Sequence, residues 1–456
     1  MLATSGALIK DALYQDRVNP RWARLLDVLE MNPRYTRCEG TELFTEDGRR
    51  ILDFLSGSCV QNLGHNHPAV LEAVKNELDR HGPAMLQNHV SDLAGELADK
   101  LCWRAGGRVK KVFFCSSGSE GVEAAIKFSR AHTRRNGLLY AEGAFHGWTC
   151  GALSLMGDPS RRENFGPILS DTEAVPFGNL AALELKLASK RFAAFIVEPV
   201  QAEGGVRVPP PAYLETAQAL CRRHGTLFVV DEVQTGFYRT GRFLASHHYN
   251  VEPDLIVLAN ALSGGLVPSA ALLMSDQIYE SVFAFKHGSI ARSIAHSSTF
   301  GENGLAMRAG LATLEALERE YLGDRALAAG DFLRTRLRQA LSGYEMVKEV
   351  RGLGLLNGVE FQPPRKLALR VSFEAFGKIH PGMFGQVVVM GLFRRGFLTG
   401  MCGNNFMTLK VAPPLVVKER EADEFVHALT DVVEMIHFSS TFWSEALGLA
   451  RRAIAK

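Results

Sequence analysis

No stretch of this chain has the run of about 20 apolar residues that a membrane-crossing helix needs, although 46% of its 456 residues are hydrophobic. Charge of one sign is missing too. The 51 Lys and Arg stand against 49 Asp and Glu, a net +2, which leaves no electrostatic footprint for a nucleic acid. Cysteine is sparse. The seven (38, 59, 102, 115, 150, 221 and 402) are odd in number, scattered and never spaced C-x-x-C. That pattern argues against a disulfide framework or a metal site and for a reducing, cytoplasmic setting. The opening MLATSGALIKDALYQDR has no basic start followed by a long apolar core, so no secretory signal is expected from it. Neither internal repeats nor low-complexity tracts occur. These absences leave a globular chain long enough for one large domain and a smaller one.

Short apolar runs punctuate the sequence and read as strands: Val112–Phe114, Leu138–Ala141, Phe192–Val197, Leu227–Val230, Leu255–Leu258 and Ser269–Met274. The β-branched run Leu227–Val230 has the character of a buried parallel strand. Asp47-Gly48 between two apolar runs predicts a hairpin. Leu25–Met31 has helical spacing, ended by Asn32-Pro33. Pro68 opens a helix where its missing N–H costs nothing. Leu305–Glu318 and Leu327–Leu341 are amphipathic helices. His65 and His67, flanking Asn66 at a turn, read as capping residues without chemistry.

Chemistry gathers just after the strands. Val112–Phe114 leads into CSSGSEGVEAAIKFSRAHTRR. There the turn Ser117-Gly118-Ser119 starts a helix, and a helix N-terminus presents N–H groups and a dipole to a dianion. The same residues also suit a simple N-cap. Leu227–Val230 ends on Asp231 and Glu232, and a carboxylate at the end of a buried strand is costly unless a cation or hydrogen bond meets it.

In order along the chain, LGHNHP from Leu63, SGSEGVE from Ser117, FHG from Phe145, EPVQAEGG from Glu198, DEVQTGFYRTG from Asp231, PDLIVLANALSGG from Pro253, HSSTFG from His296 and RGLGLLNGVE from Arg351 resemble motifs of one family. It is the class III (ornithine, acetylornithine and ω-amino acid) aminotransferases, pyridoxal 5′-phosphate (PLP) enzymes of fold type I. The resemblance covers roughly residues 40–435 and rests on several motifs in the family's order. It implies an α/β fold whose large domain (66–329) has a mostly parallel seven-stranded sheet flanked by helices. A smaller α+β domain would come from both chain ends (1–65 and 330–456).

The resemblance also implies the site. Ser117, Gly118 and Ser119 would hold the phosphate, Phe145 would stack on the ring, and His146, Glu198, Val233 and Gln234 would surround the cofactor. Asp231 would pair with the pyridine nitrogen. Chemistry supports that role independently, because the ring acts as an electron sink only with its nitrogen protonated, and a nearby carboxylate favours that cation. Without the motif, Phe145 would read as an ordinary core aromatic. Thr299 would reach the phosphate of a neighbouring subunit's cofactor, which implies a homodimer with shared active sites. Gly57, Ser58 and Cys59 would lie at the substrate mouth. Trp148 stands where ornithine-type members often have Arg. An indole cannot pair with a carboxylate, so a bulkier or less acidic amine is favoured over an α-amino acid held in that way. Glu203 would pair with a base, here Lys410 where relatives commonly have Arg, opening and closing a carboxylate site. The other reading of that pair is a surface ion pair of little energy.

The implied activity moves an amino group from an amine or ω-amino donor to a keto acid such as 2-oxoglutarate, the cofactor cycling between PLP and pyridoxamine phosphate. One departure bears on all of it: Asn260 occupies the position of the family's Schiff-base lysine. Lysine there serves as nucleophile and as acid/base, and an amide does neither. The nearest lysines on either side, Lys190 and Lys286, sit in no cofactor motif. Three accounts stand: a variant made by replacing the lysine, a natural homologue that binds PLP or pyridoxamine phosphate without transaminating, and another reaction of the same fold such as an aminomutase or decarboxylase. The basic and apolar stretch 362–386 reads as an insertion. It can line a channel for a large apolar substrate, touch a membrane surface, or be a surface excursion. The C-terminal FSSTFWSEALGLARRAIAK carries the same alternatives.

Overall fold

The computed structural model describes residues 12–86, 88–283, 295–379 and 382–438, together with 443 and 448. Lys286 and most of the C-terminal amphipathic stretch therefore lie outside the described residues, as do the first eleven.

After the helix Pro20–Val28 comes a hairpin sheet, β1 (Tyr35–Glu39), β2 (Glu42–Thr45) and β3 (Arg50–Asp53), with Asp47-Gly48 in the turn between β2 and β3. The central sheet follows: β4 (Lys111–Cys115), β5 (Gly137–Ala141), β6 (Thr172–Val175), β7 (Phe192–Val197), β8 (Leu227–Asp231), β9 (Leu255–Leu258) and β10 (Ala270–Met274). Its spatial order is β4-β10-β9-β8-β7-β5-β6, and β10 alone runs against its neighbours. Strands β5, β7, β8, β9 and β10 are buried along their whole length. Helices cover both faces, which explains why these runs are continuously apolar rather than alternating. Gly118–Thr133 packs on one face and Tyr213–His224 on the other. This is the mostly parallel seven-stranded sheet that the resemblance implied.

The last part of the chain forms β11 (Val347–Leu353), β12 (Leu356–Phe361), β13 (Phe397–Leu398), β14 (Gly400–Cys402) and β15 (Thr408–Val411). Strands β11, β12, β15 and β14 make a second sheet, while β13 adds to β3 in parallel and so ties the chain's two ends together. Phe54 stacks on Phe425 at 4.5 Å across that junction. Arg239 is wholly buried there with no carboxylate partner among the described residues. It donates instead to the carbonyls of Leu355 (3.0 Å) and Pro413 (2.5 Å) and to Asn62 Oδ1 (2.6 Å).

Several expectations need correction. The helix expected over Leu25–Met31 spans Pro20–Val28, because Asn19 accepts from Trp22 N and Pro20 sits at the first helical position, a stronger start signal than the apolar spacing. His67 occupies the N-cap position of the helix Pro68–Asp79 but makes no side-chain cap hydrogen bond, its Nε2 lying 3.0 Å from Glu320 Oε1, and His65 Nε2 lies 2.8 Å from Asp53 Oδ2. The 362–386 stretch, described except for 380 and 381, is largely helical, with Leu367 and Val371 exposed. It forms the helix Leu367–Ile379 and the start of Met383–Arg394, and Phe384, Val387 and Val388 of the latter are core residues. Among the described residues no helix is long and apolar enough to cross a membrane.

Candidate active site

Five strands end at one edge of the central sheet, where ligands bind in open α/β sheets. Just beyond β4, β5, β7, β8 and β9 come Ser117–Ser119, Phe145–Gly147, Glu198, Val233–Thr235 and Asn260. All of these line one cavity of about 440 Å³, together with Gly57, Ser58, Val60, Trp148, Arg161, Glu203 and Asp231.

At one end lies the N-terminus of the 16-residue helix Gly118–Thr133. Ser117 caps it, accepting from Glu120 N at 3.2 Å, so the N-cap reading holds for that hydroxyl. Ser119 Oγ accepts from Trp148 N at 3.2 Å. Gly147 makes this closeness feasible. A Cβ there would lie 2.1 Å from Ser119 Oγ, and its φ is +126°, a backbone only glycine adopts readily.

Asp231 lies at the end of β8 and is 3% exposed. Its Oδ2 meets His146 Nδ1 at 2.7 Å and its Oδ1 accepts from Val233 N at 3.0 Å. Burial disfavours a charged imidazole, but the hydrogen bond and charge of Asp231 outweigh it and hold the His146 pKa above the usual 6.5. His146 Nε2 is buried without a hydrogen-bond partner among the described residues. Burial pushes the Glu198 carboxyl up to about 8, His146 pulling it down and Asp231 pushing it further up. Glu198 accepts from the backbone N–H groups of Phe145 (3.0 Å) and Ala202 (3.1 Å). Glu232, the second carboxylate of the strand end, is structural. It turns away from the cavity and accepts from Ala245 N (3.0 Å) and Ser246 N (2.8 Å).

At the other end, Lys410 of β15 donates to Glu203 Oε1 and Gln234 Oε1, both at 2.6 Å. The lysine side chain is 2% exposed and that of Glu203 24%, so the alternative of a surface ion pair fails. Cys59 is also displaced from its expected place. It is buried among Val200, Ala202, Val206 and Cys402, and Ser58 and Val60 line the cavity instead. It closes a run of four left-handed residues, Ser56, Gly57, Ser58 and Cys59, with φ between +53° and +68°, which only Gly57 adopts without strain. Asn260, itself at φ +47°, donates from Nδ2 to Ser58 O at 2.9 Å.

The structure thus brings Asp231, His146, Phe145, Glu198, Val233, Gln234, Ser117, Gly118, Ser119, Asn260, Trp148 and Glu203 to one cavity. Thr299 lines a different cleft, with His89 and His296. Gly57 and Ser58 line the cavity as expected, whereas Arg161 and Val60 line it without having been singled out. Arg161 sits in the polar loop GDPSRREN, which matches no motif, so no local signal marked it. The cavity's donor set suits a cofactor with a phosphate at one end and a ring nitrogen at the other. The helix N-terminus serves the first and the buried carboxylate the second, while the unpartnered His146 Nε2 and the apolar walls Phe145 and Val233 belong to the space between.

A model of the class III aminotransferases matches residues 27–433. The chain belongs to this family. Among curated relatives of this class III aminotransferase chain is Aminotransferase PigE of Serratia sp. (strain ATCC 39006), 34% identical over 94% of the chain and 53% of that protein. The chain therefore spans about half the length of that relative. A putrescine aminotransferase of Pectobacterium atrosepticum is 34% identical over 87% of the chain and 81% of its own length. Among solved structures, the Toxoplasma gondii ornithine aminotransferase, crystallised with PLP at partial occupancy in its active site, superposes with a TM-score of 0.78. It is 30% identical, with 89% of this class III chain and 91% of that one covered.

Proposed function

We propose that this chain is built to move an amino group from an amine or ω-amino donor to a keto acid such as 2-oxoglutarate, with PLP and pyridoxamine phosphate as the two forms of its cofactor, and that Asn260 severely impairs that turnover. One observation carries the reading: buried Asp231, joined to His146, faces across a single cavity to the helix N-terminus at Ser117–Ser119.

PLP, when bound, supplies an electron sink for bonds to the substrate's amine-bearing carbon. The rest falls to the chain's own residues. The Ser117–Ser119 end of the helix binds the phosphate. Asp231 keeps the ring nitrogen protonated, and His146 orients Asp231. Phe145 and Val233 give the ring its apolar walls, and Glu198 fixes the backbone that carries Phe145. Asn260 can hold neither the cofactor covalently nor a proton in transit, and no lysine occurs among the residues lining the cavity. Cofactor retention is then non-covalent. For the donor, Trp148 in the loop after Phe145 and the likeness to a putrescine aminotransferase favour a diamine or ω-amino compound, or an amine on a larger apolar skeleton, over an α-amino acid. A homodimer belongs to the same reading. Thr299 is exposed and away from its own chain's cavity, as expected of a residue that serves the partner's phosphate. A cytoplasmic setting belongs to it too, supported by seven cysteines without a disulfide.

The test restores the lysine. Asn260→Lys is expected to transaminate some member of a panel of diamines, ω-amino and α-amino acids with 2-oxoglutarate, read by consumption of the keto acid. Silence across the panel despite bound cofactor would favour the non-transaminating reading. That alternative has one observation behind it: Asn260 is locally at home, with a left-handed backbone that asparagine tolerates and an amide engaged by Ser58. For the dimer, Thr299→Ala should weaken PLP retention roughly tenfold to a hundredfold, the worth of one charge-assisted hydrogen bond. Sedimentation of a monomeric parent chain would remove the shared-site idea.

A further inference from the structure

An enzyme that accepts a dicarboxylic keto acid needs a cation for the carboxylate remote from the reacting carbon. The position after His146-Gly147 offers only the indole of Trp148. Lys410 is not that cation, since it does not line the cavity and its ammonium already meets Glu203 and Gln234, both at 2.6 Å.

Arg161 remains. It lies within a short turn of 3₁₀ helix, Pro159–Arg162, capped by Asp158, whose Oδ1 accepts from Ser160 N at 3.0 Å and Ser160 Oγ at 2.8 Å. The other oxygen of Asp158 lies 3.5 Å from Arg161 Nε. That contact orients the guanidinium and leaves both terminal nitrogens without a hydrogen-bond partner among the described residues. The guanidinium carbon lies 5.7 Å from the centroid of the Trp148 ring, within the reach of a cation–π contact. Trp148 in turn meets Phe145 edge-on, with centroids 5.6 Å apart. A chain of two ring contacts therefore leads from the wall of the cofactor cavity to a guanidinium at its mouth. The side chain is 30% exposed, so it is open to a ligand yet partly desolvated.

We propose that Arg161, backed by Trp148, is the subsite that binds the distal carboxylate of the keto-acid acceptor, and that it takes over the work of the arginine missing at position 148. A planar guanidinium with two free terminal nitrogens suits bidentate pairing with a carboxylate. Glu203 stands on the same cavity. Burial opposes its charge, but Lys410 chiefly, and Arg161 in addition, hold its carboxyl below the usual range. The mouth thus offers both signs: a negative edge to an ammonium donor and a positive one to a carboxylate acceptor. One cavity can then serve two unlike substrates without Lys410 moving.

This subsite deepens the proposed aminotransferase reading and rests on it for the identity of the acceptor. Its test is a binding measurement. The chain as it stands is loaded with pyridoxamine phosphate and titrated by calorimetry with 2-oxoglutarate and with 2-oxopentanoate, which has the same length but no distal carboxylate. The parent chain should prefer 2-oxoglutarate about tenfold to a hundredfold, as expected for a charge-assisted, bidentate contact. Arg161→Gln should erase the preference without changing the affinity for 2-oxopentanoate, and Arg161→Lys should keep part of it. A parent chain with no preference, or an Arg161→Gln chain that keeps it, overturns the subsite. The two readings fail separately. If Asn260→Lys never transaminates while Arg161→Gln still erases the preference, the reaction falls and the subsite stands. If Asn260→Lys turns over and the preference survives Arg161→Gln, the subsite alone falls.

Discussion

The two ends of the cavity are built in different ways. At the Ser117–Asp231 end, each group sits within a few residues of a strand's last residue, so the central sheet places it directly. At the mouth, Trp148, Arg161 and Glu203 come from loops of the central part, and the two chain ends bring the left-handed turn with Gly57 and Ser58 and, behind Glu203, Lys410. The first end is anchored by the buried Asp231–His146 pair, each at 3% exposure, with the capping Ser117 exposed beside the cavity. The second mixes the buried Lys410 with the exposed Trp148. Rigidity is concentrated where a cofactor's fixed shape would be met, and adaptability where two substrates would alternate.

The largest effect that tests this contrast is expected from Asp231→Asn. It removes the charge facing wholly buried His146, and breaking such a pair costs about 3 kcal/mol or more. Both stability toward denaturant and PLP affinity should fall, the latter by about a hundredfold. A variant of unchanged stability that altered only substrate preference would break the contrast. The Arg161→Gln titration lies lower on the scale and should touch preference alone.

A smaller effect concerns pH. In the folded chain Glu198 keeps its proton up to about 8, whereas an ordinary carboxyl releases it near 4.5. Between those values the folded state binds more protons than the unfolded one, so this group makes stability fall as pH rises. His146, with its raised pKa, adds a fall of the same sign above 6.5. Glu198→Gln should therefore flatten the decline in stability between about pH 5 and pH 8 without abolishing it, as read by denaturant midpoints across that range. An unaltered slope would mean that Glu198 titrates normally and that the Asp231 end is less dry than its geometry implies.

The same contrast governs what could be read from the sequence. The central strands, the hairpin at Asp47-Gly48 and the helix after Ser117 were legible because apolar runs and turn residues act locally. Asp231 and Ser117–Ser119 were legible because strand, turn and functional group are contiguous. Arg161 was not, since its significance lies in a cation–π contact to Trp148 across a loop that carries no motif. Cys59 was expected at the mouth and lies inside, packed among Val200, Ala202, Val206 and Cys402, because its contacts come from segments far away in the sequence and non-glycine residues at positive φ give no composition signal. The Glu203–Lys410 pair came through the family resemblance. Its burial did not, because only the packing of β15 beneath the cavity excludes water from that lysine.

Arg239 has a consequence for how the chain is made. Its three acceptors, Asn62, Leu355 and Pro413, lie on segments synthesised early and late. A guanidinium can leave water only where its acceptors are already in place. While Pro413 is still inside the ribosome, the charge has nowhere dry to go, although every strand of the central sheet has by then emerged. The junction beneath the cavity can close only after the segment that carries Pro413 has been released, so Arg239 couples the sealing of the binding site to the meeting of three segments that are far apart in the sequence.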